Sequence, residues 1–295
     1  MHITRPSVSN LKQRQWRNPP AGEALKEARA RLADRSRNPR LDAEALVAHV
    51  LGRDRTALLT HPERLLSPAE ADLLESLLQR RFAGEPIQYI TGVQEFFGLT
   101  FEVSPDVLIP RPETEHLVET VLERFGRERK LRIVDVGTGS GAIAVSLANL
   151  MPQADVTAID SSAAALQVAG RNAQRHGLTE RVAFLQSDLL ADAVENGFDV
   201  VVSNPPYVGN AEVLEVQVLN YEPHAALFAG PTGLEVYERL IPQARRALKP
   251  QGWLMLEIGH GQQPALQKLL QGWADVRFLP DLQGIPRVAE ARLLK

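Results

Sequence analysis

Hydrophobic positions along this chain change period twice. From residue 21 to about residue 83 they recur at helical spacing. Leu41, Ala45 and Ala48 fall along one row, and Leu46, Val47, Val50 and Leu51 complete a broad apolar face on a helix ending near Gly52. Ser67-Pro68-Ala69-Glu70 has the form of a capping box with proline at the first helical position, and Leu73, Leu74, Leu77 and Leu78 follow at i, i+4. Three or four short amphipathic helices therefore make a small helical bundle over residues 21–84. The period then shortens. Ile87-Gln88-Tyr89-Ile90 and Leu99-Thr100-Phe101-Glu102-Val103 read as two strands around Gly92 and Gly98, which predicts a β-hairpin linker over residues 85–110. Residues 1–20 show no periodicity and read as a disordered extension.

From residue 131 onward strand and helix patterns alternate. Strands are expected at 131–136, 154–159, 182–187, 198–203 and 252–258, with extended runs at 275–279 and 287–294. Helices are expected at 140–150, 161–176, 233–248 and 262–272, the second capped by Ser161 or Ser162 and ended by Gly177. Such alternation predicts an α/β domain over residues 111–295, a doubly wound and mostly parallel sheet with helices on both faces. The last segment is strand–turn–strand without a helix, so its final pair is expected to be antiparallel.

Composition narrows the classes. The chain has 295 residues, 44% hydrophobic and 23% charged, the balance of a soluble globular protein of one large and one small domain. No apolar run reaches the roughly 20 residues that span a bilayer, and the N-terminus lacks the apolar core of a secretory signal. There is no cysteine, which removes disulfides, thiolate metal sites and cysteine nucleophiles, and the seven histidines show no ligand spacing. A cytoplasmic protein without a metal is the simplest account. Residues 1–40 carry ten Lys and Arg against three Asp and Glu, so with a net charge of −3 the remainder carries about −10. That basic end steers toward an acidic partner or RNA, or is simply a solvated helix face.

The candidate chemistry sits where the strands stop. Val200-Val201-Val202-Ser203 runs into Asn204-Pro205-Pro206-Tyr207. The prolines remove two backbone donors, leaving the Pro205 carbonyl free to accept, and Asn204 adds a side-chain acceptor. Two acceptors on a stiff turn suit a planar NH2 group, and Tyr207 suits its flat face. The first strand ends in Asp135-Val136-Gly137-Thr138-Gly139-Ser140-Gly141, a glycine turn that lets the backbone approach a ligand. Asp160, at the end of the second strand, is placed for the two hydroxyls of a ribose. Asp188 and Leu189, after the third, are placed for an adenine amine and ring. Gly139-x-Gly141-x-x-Ala144 with Asp160 also fits a dinucleotide fingerprint. Asp135 two residues ahead of the first glycine, Asp188 and the Asn-Pro-Pro-Tyr turn weigh against that cofactor. In Val107-Leu108-Ile109-Pro110-Arg111-Pro112-Glu113-Thr114-Glu115, Pro112 opens a helix whose first turns hold Glu113, Glu115 and Glu119, a pattern that capping alone explains. Arg111, fixed between two prolines, needs a partner.

Over residues 21–295 these features together resemble the HemK/PrmC family of peptide chain release factor N5-glutamine methyltransferases, which are class I, Rossmann-like enzymes dependent on S-adenosylmethionine. The glycine turn and Asn-Pro-Pro-Tyr are shared with other methyltransferases, including amino-adenine enzymes. Ile109-Pro110-Arg111-Pro112-Glu113-Thr114-Glu115 is more specific and favours release factors over a sister family that modifies a ribosomal-protein glutamine. The resemblance implies transfer of a methyl group from S-adenosylmethionine, leaving S-adenosylhomocysteine, to the glutamine amide of a Gly-Gly-Gln loop. It implies Asn204, Pro205 and Tyr207 as catalytic residues. Gly137, Thr138, Gly139, Ser140, Gly141, Asp160, Asp188, Leu189 and Asn204 are then expected around the cofactor. Pro206, Phe96, Arg111 and Glu115 join Asn204, Pro205 and Tyr207 around the substrate, although Phe96 serves equally well as hairpin core. Residues 21–84 are expected to dock the protein substrate. A DNA or RNA adenine methyltransferase reuses the same turn for a flipped base but usually carries a basic reading surface, whereas this catalytic half is acidic. A non-catalytic nucleotide-binding module needs neither Asn204 nor Tyr207.

Overall fold

The computed structural model describes residues 18–193, 195 and 197–294, so the expected N-terminal extension lies almost wholly outside the described residues. The chain divides into two compact units between Gly92 and Val93.

The first unit is helical: α1 (Ala21–Leu32), α2 (Pro39–Leu51), α3 (Arg55–Thr60), α4 (Pro68–Phe82) and α5 (Ile87–Thr91). Ser67 and Glu70 form the capping box at the start of α4. Ala43, Leu46, Val47 and Val50 turn inward at i, i+3, i+4, i+7 and meet Ala24, Ala28, Leu32, Leu74 and Leu78 in one core. Two expected core positions face out instead, Leu41 and Leu73, each 44% exposed. The face of α2 is turned by Asp42, which is buried because it accepts from Arg81 Nε at 2.7 Å and Ser36 Oγ at 2.6 Å. The expected strand at Ile87-Gln88-Tyr89-Ile90 is also corrected, because these residues form α5. Pro86 presets its entry, Gly92 closes it in the left-handed region, and Ile90 joins the helical core.

The second unit begins with the hairpin, one strand later than expected: β1 (Val93–Phe96) pairs antiparallel with β2 (Leu99–Glu102). Phe97 and Gly98 turn it with φ of 49° and 74°, the two positive values of a hairpin turn that follows the strand twist. A single 3-10 turn (Pro112–Thr114) leads into α6 (Glu115–Phe125). Then follow β3 (Arg132–Val136), α7 (Ala142–Leu150), β4 (Asp155–Asp160), α8 (Ala163–Arg175), β5 (Val182–Gln186) and β6 (Phe198–Ser203). After these come β7 (Val208–Gly209), α9 (Val216–Tyr221), β8 (Phe228–Gly230), α10 (Glu235–Ala247), β9 (Leu248–Glu257), α11 (Gln263–Leu269), β10 (Ala274–Pro280) and β11 (Pro286–Arg292).

The main sheet has seven strands in the order β10-β11-β9-β6-β3-β4-β5. Its strands from β9 through β5 run parallel, and β11 is antiparallel to both of its neighbours, as the missing helix predicted. β6 carries valines on both faces, and all three are fully buried. Val200 and Val202 join Leu117, Val145 and the hairpin rings Phe96 and Phe101 on one face, while Val201 joins Tyr237, Leu240 and Leu266 on the other. Strand order reverses between β3 and β6, so the crevice for a ligand opens at the carboxyl ends of these two. Asn172 of α8, fully buried, locks the hairpin to the glycine turn. It accepts from the Glu102 N–H at 2.6 Å and donates to the carbonyls of Glu102 and Ser140, each at 2.9 Å. No described helix is long and apolar enough to cross a membrane.

The Asn172 lock gives the first prediction. Asn172→Ala leaves a buried carbonyl without its donor, which costs about 1–3 kcal/mol. Urea denaturation is expected to show a lower midpoint with an unchanged slope, and an unchanged midpoint would show that the lock carries no stability.

Candidate active site

Where β6 meets Pro205 its ladder ends, and the Ser203 hydroxyl closes the gap by donating to the Val136 carbonyl at 2.6 Å. The ends of β3 and β6 are thereby held together, and with them the glycine turn and Asn204. The turn hooks onto β4, since the N–H groups of Gly137 and Thr138 both donate to the Ile159 carbonyl, at 2.8 and 2.9 Å. Its glycines do two different jobs. A Cβ on Gly137 or Gly139, both at positive φ, would project into open space, so the backbone there is bare toward the crevice. A Cβ on Gly141 would press on Ala169 of α8 at 3.1 Å, so that glycine also meets a packing requirement between α7 and α8.

Three carboxylates were expected at successive strand ends, and the structure gives each a different environment. Asp135 is fully buried. Its Oδ2 accepts from the Thr138 hydroxyl at 2.6 Å and the Ala144 N–H at 3.2 Å, while its Oδ1 has no partner among the described residues. Burial raises its pKa to about 7, against the pull of those two donors. Asp160 is half-buried and braces the backbone on both sides, accepting from Gly139 N–H and Ser162 N–H, each at 2.9 Å. Each oxygen keeps a second lone pair. Ser162 caps α8 through the Ala165 N–H. Asp188 is exposed and paired with Arg239 of α10, so an adenine amine would have to share it with a guanidinium. Leu189 sits at a φ of 55° and leans on the core beneath α10.

At the Asn-Pro-Pro-Tyr turn, Asn204 Nδ2 donates to the Thr114 hydroxyl at 3.0 Å. Its Oδ1 is turned the other way, and no described residue donates to it or to the Pro205 carbonyl. Pro205 is buried, while Pro206 and Tyr207 are half-buried. The Tyr207 hydroxyl lies 3.4 Å from Oε1 of Glu257, and burial raises its pKa further above the ordinary phenol value. Gln262 holds the Tyr207 carbonyl at 2.9 Å through Nε2, and its own Oε1 accepts from Gly259 N–H at 3.0 Å.

The expected substrate rim is bound into the protein. Arg111 finds its partner in Glu222, at 2.5 Å, and the other oxygen of Glu222 accepts from Ile109 N–H at 3.2 Å. Glu115 accepts from the Phe97 N–H at 2.7 Å and so fixes the hairpin turn. Phe96 is corrected: it is 1% exposed, edge-on to Phe101, and belongs to the core, while Phe97 beside it is partly exposed. Sequence reasoning missed Thr114, Glu222, Glu257 and Gln262. Thr114 stood inside a motif already singled out, with nothing to show that it faces Asn204. Glu257 ends an apolar strand, the signal that was followed at four other strands.

The seven-stranded order and the polar strand ends define a class I methyltransferase fold. Solved structures share it over 68% of this chain. One is the catalytic domain of human Mettl16 in complex with an RNA hairpin (18% identical, 77% of that chain, TM-score 0.54). Another is the Thermus thermophilus 16S rRNA N2 G1207 methyltransferase with AdoMet and guanosine (21% identical, 49% of that chain, TM-score 0.51). Family models match residues 23–92, described as the PrmC N-terminal domain, and residues 127–276, described as a methyltransferase domain. The release factor glutamine methyltransferase of Koribacter versatilis is 49% identical over 86% of this chain and 91% of its own length. That of Bradyrhizobium diazoefficiens is 43% identical over 93% of this chain and 97% of its own. The chain belongs to the release factor glutamine methyltransferase family.

The bare backbone at Gly137 and Gly139, the spare lone pairs of Asp160 and the unpartnered Oδ1 of Asp135 suit S-adenosylmethionine, whose ribose hydroxyls and ammonium are hydrogen-bond donors. Asp160→Ala is therefore expected to weaken binding of S-adenosylhomocysteine by about 1–3 kcal/mol, the scale for hydrogen bonds to a charged group. Titration calorimetry checks this, and unchanged affinity would move the ribose elsewhere.

Proposed function

We propose that this chain transfers a methyl group from S-adenosylmethionine to the side-chain amide nitrogen of a release factor glutamine, with Asn204, Pro205 and Tyr207 forming the seat for that amide. The observation that carries the seat is the direction of Asn204: Nδ2 is spent on Thr114, which leaves Oδ1 as an acceptor beside the unpaired Pro205 carbonyl. When bound, S-adenosylmethionine supplies an electrophilic methyl group on a sulfonium.

An amide nitrogen is a poor nucleophile because its lone pair is shared with its carbonyl. Two acceptors, Asn204 Oδ1 and Pro205 O, fit the two hydrogens of a glutamine NH2. Holding both fixes the nitrogen's direction and stabilises the positive charge that builds on it during attack. No strong base is needed beside the nitrogen, because once alkylated it is acidic and releases its proton late. Pro205 and Pro206 add no N–H that would compete for the acceptors. The Tyr207 ring, held by its hydroxyl contact to Glu257 and by Gln262 on its carbonyl, walls the amide plane. The glycine turn joined to this seat through Ser203 brings donor and acceptor to one crevice. A release factor as substrate places the reaction in the cytoplasm.

Labelled methyl from S-adenosylmethionine, offered to purified release factor and to DNA in parallel, tests the reading. Label is expected on the factor and lost when its Gly-Gly-Gln glutamine is replaced; label on DNA alone would transfer the seat to an adenine amine. Asn204→Ala is expected to cut single-turnover rate by roughly 10²–10³, as for other preorganised contacts to a reacting group. Tyr207→Phe, which keeps the ring, is expected to be milder, with cofactor affinity largely kept in both. A near wild-type rate in Asn204→Ala would rule the seat out.

A further inference from the structure

Tyr207 is backed by the chain that joins β9 to α11, Ile258-Gly259-His260-Gly261-Gln262. Both ends of the Gln262 amide are committed to backbone. Its Oε1 accepts from the Gly259 N–H at 3.0 Å, and its Nε2 donates to the carbonyls of Tyr207 at 2.9 Å and Gly233 at 3.2 Å. A backbone N–H only donates and a carbonyl only accepts, so these three partners fix which end of the amide is which. Gln262 thereby ties three loops together: the one after β6, the one before α10 and its own.

Two glycines make room for this tie. A Cβ on Gly233 would stand 2.5 Å from the Tyr207 carbonyl oxygen, and that residue also has a φ of 81°, which by itself asks for glycine. Gly259 is different, because it is not at positive φ and its conformation is open to any residue. What excludes a side chain there is space. A Cβ on Gly259 would stand 3.0 Å from Cδ2 of the Tyr207 ring and 2.8 Å from Gln262 Oε1. Gly259 is buried and the ring is half-buried, so the ring rests on bare backbone with its other side open. A side chain at 259 would push it off that backing, toward the open side.

We infer that Gly259 and Gln262 are positioning residues for Tyr207: Gly259, by carrying no side chain, sets how far the ring stands back, and Gln262 holds the backbone of Tyr207 in that place. Together they set the width of the slot between the ring and the acceptors on Asn204 and Pro205. The inference rests on the amide seat proposed above. A ring pushed forward narrows the slot and displaces the amide it walls, which lowers the rate of transfer. The glycine turn and Asp160 lie on β3 and β4 and make no hydrogen bond to this chain segment, so the cofactor's hold is expected to survive the change.

The test is methylation of a release factor by wild type, Gly259→Ala and Gln262→Glu in alkaline buffer. Gln262→Glu keeps the size of the side chain and an oxygen for the Gly259 N–H, but it loses both hydrogens that hold Tyr207 and Gly233. Each variant is expected to be slower in single turnover by about 10–100-fold, the upper end being the loss for a misplacement of about 1 Å. The KM for S-adenosylmethionine is expected to stay constant. In a Tyr207→Ala background, Gly259→Ala is expected to cost less than it does alone, because the ring it displaces is gone. A wild-type rate in Gln262→Glu would show that Gln262 serves only its own turn and would overturn the inference, as would multiplying losses in the double variant. A second measurement needs no acceptor substrate. With fluorotyrosine in place of the four tyrosines, the fluorine NMR signal of Tyr207, assigned by its loss in Tyr207→Phe, is expected to shift in both variants while those of Tyr89 and Tyr221 stay. An unmoved Tyr207 signal overturns the inference. Should Gly259→Ala fail to fold, Gln262→Glu, which adds no bulk, decides by the same signal. If no release factor is methylated, the proposed function fails, and the Tyr207 signal still decides whether Gly259 and Gln262 place the ring.

Discussion

The site depends on where β6 stops. A buried central strand continues as long as each residue has an N–H for its neighbours, and Pro205 and Pro206 have none. The ladder ends at Ser203, whose hydroxyl takes over by bonding Val136, so the strand finishes in register with the glycine turn on β3. A backbone carbonyl and an amide oxygen are then left unpaired at the point where the strand order reverses. Asn204 is half-buried, so its oxygen stays open to whatever enters the crevice. Two consecutive prolines make the turn rigid, which is the condition the proposed seat requires, since preorganised acceptors need not adapt to what they hold.

Electrostatics around that crevice separates acids that serve the fold from acids that serve the ligand. Asp160 keeps two backbone N–H groups in line and remains half-exposed. Asp135 and Glu257 are buried nearly completely, each with one oxygen lacking a partner, and desolvation raises both toward neutrality at about 7. Groups of this kind are destabilising in an empty crevice. Their placement on β3 and β9, flanking β6 on its two sides, surrounds the seat with groups whose charge answers to what is bound or to pH.

Much of this was readable from one sequence. Period-2 and period-3.6 patterns located the seven strands of the sheet and its larger helices because both faces of a doubly wound sheet must be apolar. The missing helix before the last strand revealed the antiparallel pair. Other features failed for physical reasons. Ile87-Gln88-Tyr89-Ile90 is β-rich in composition, but the flanking Pro86 and Gly92 make it a capped helical turn, and the burial of Ile90 rewards that choice. Phe96 and Phe97 are indistinguishable by type, and only the strand register decides which ring is core. Thr114 and Asn204 are 90 residues apart along the chain and meet only because the 3-10 turn lies beside the end of β6. No local pattern encodes such a meeting.

What selects a glutamine over another planar NH2 cannot be the seat, since two acceptors and a ring fit an amide and an adenine alike. Selection has to come from what surrounds it, and here the surrounding residues are tied to one another. Arg111 is held by Glu222, Glu222 also holds Ile109, Glu115 holds the Phe97 turn, and Asn172 holds Glu102. Side chains committed in this way are poor at reading bases or phosphates by direct hydrogen bonds, which need free donors and acceptors. They are good at keeping one another in place. A wall held in this way favours a side chain at the tip of a loop over a nucleotide, whose sugar and phosphate must follow the base in. With the Arg111 guanidinium committed to Glu222, discrimination at the proposed rim falls to the shape of that wall more than to its hydrogen bonds.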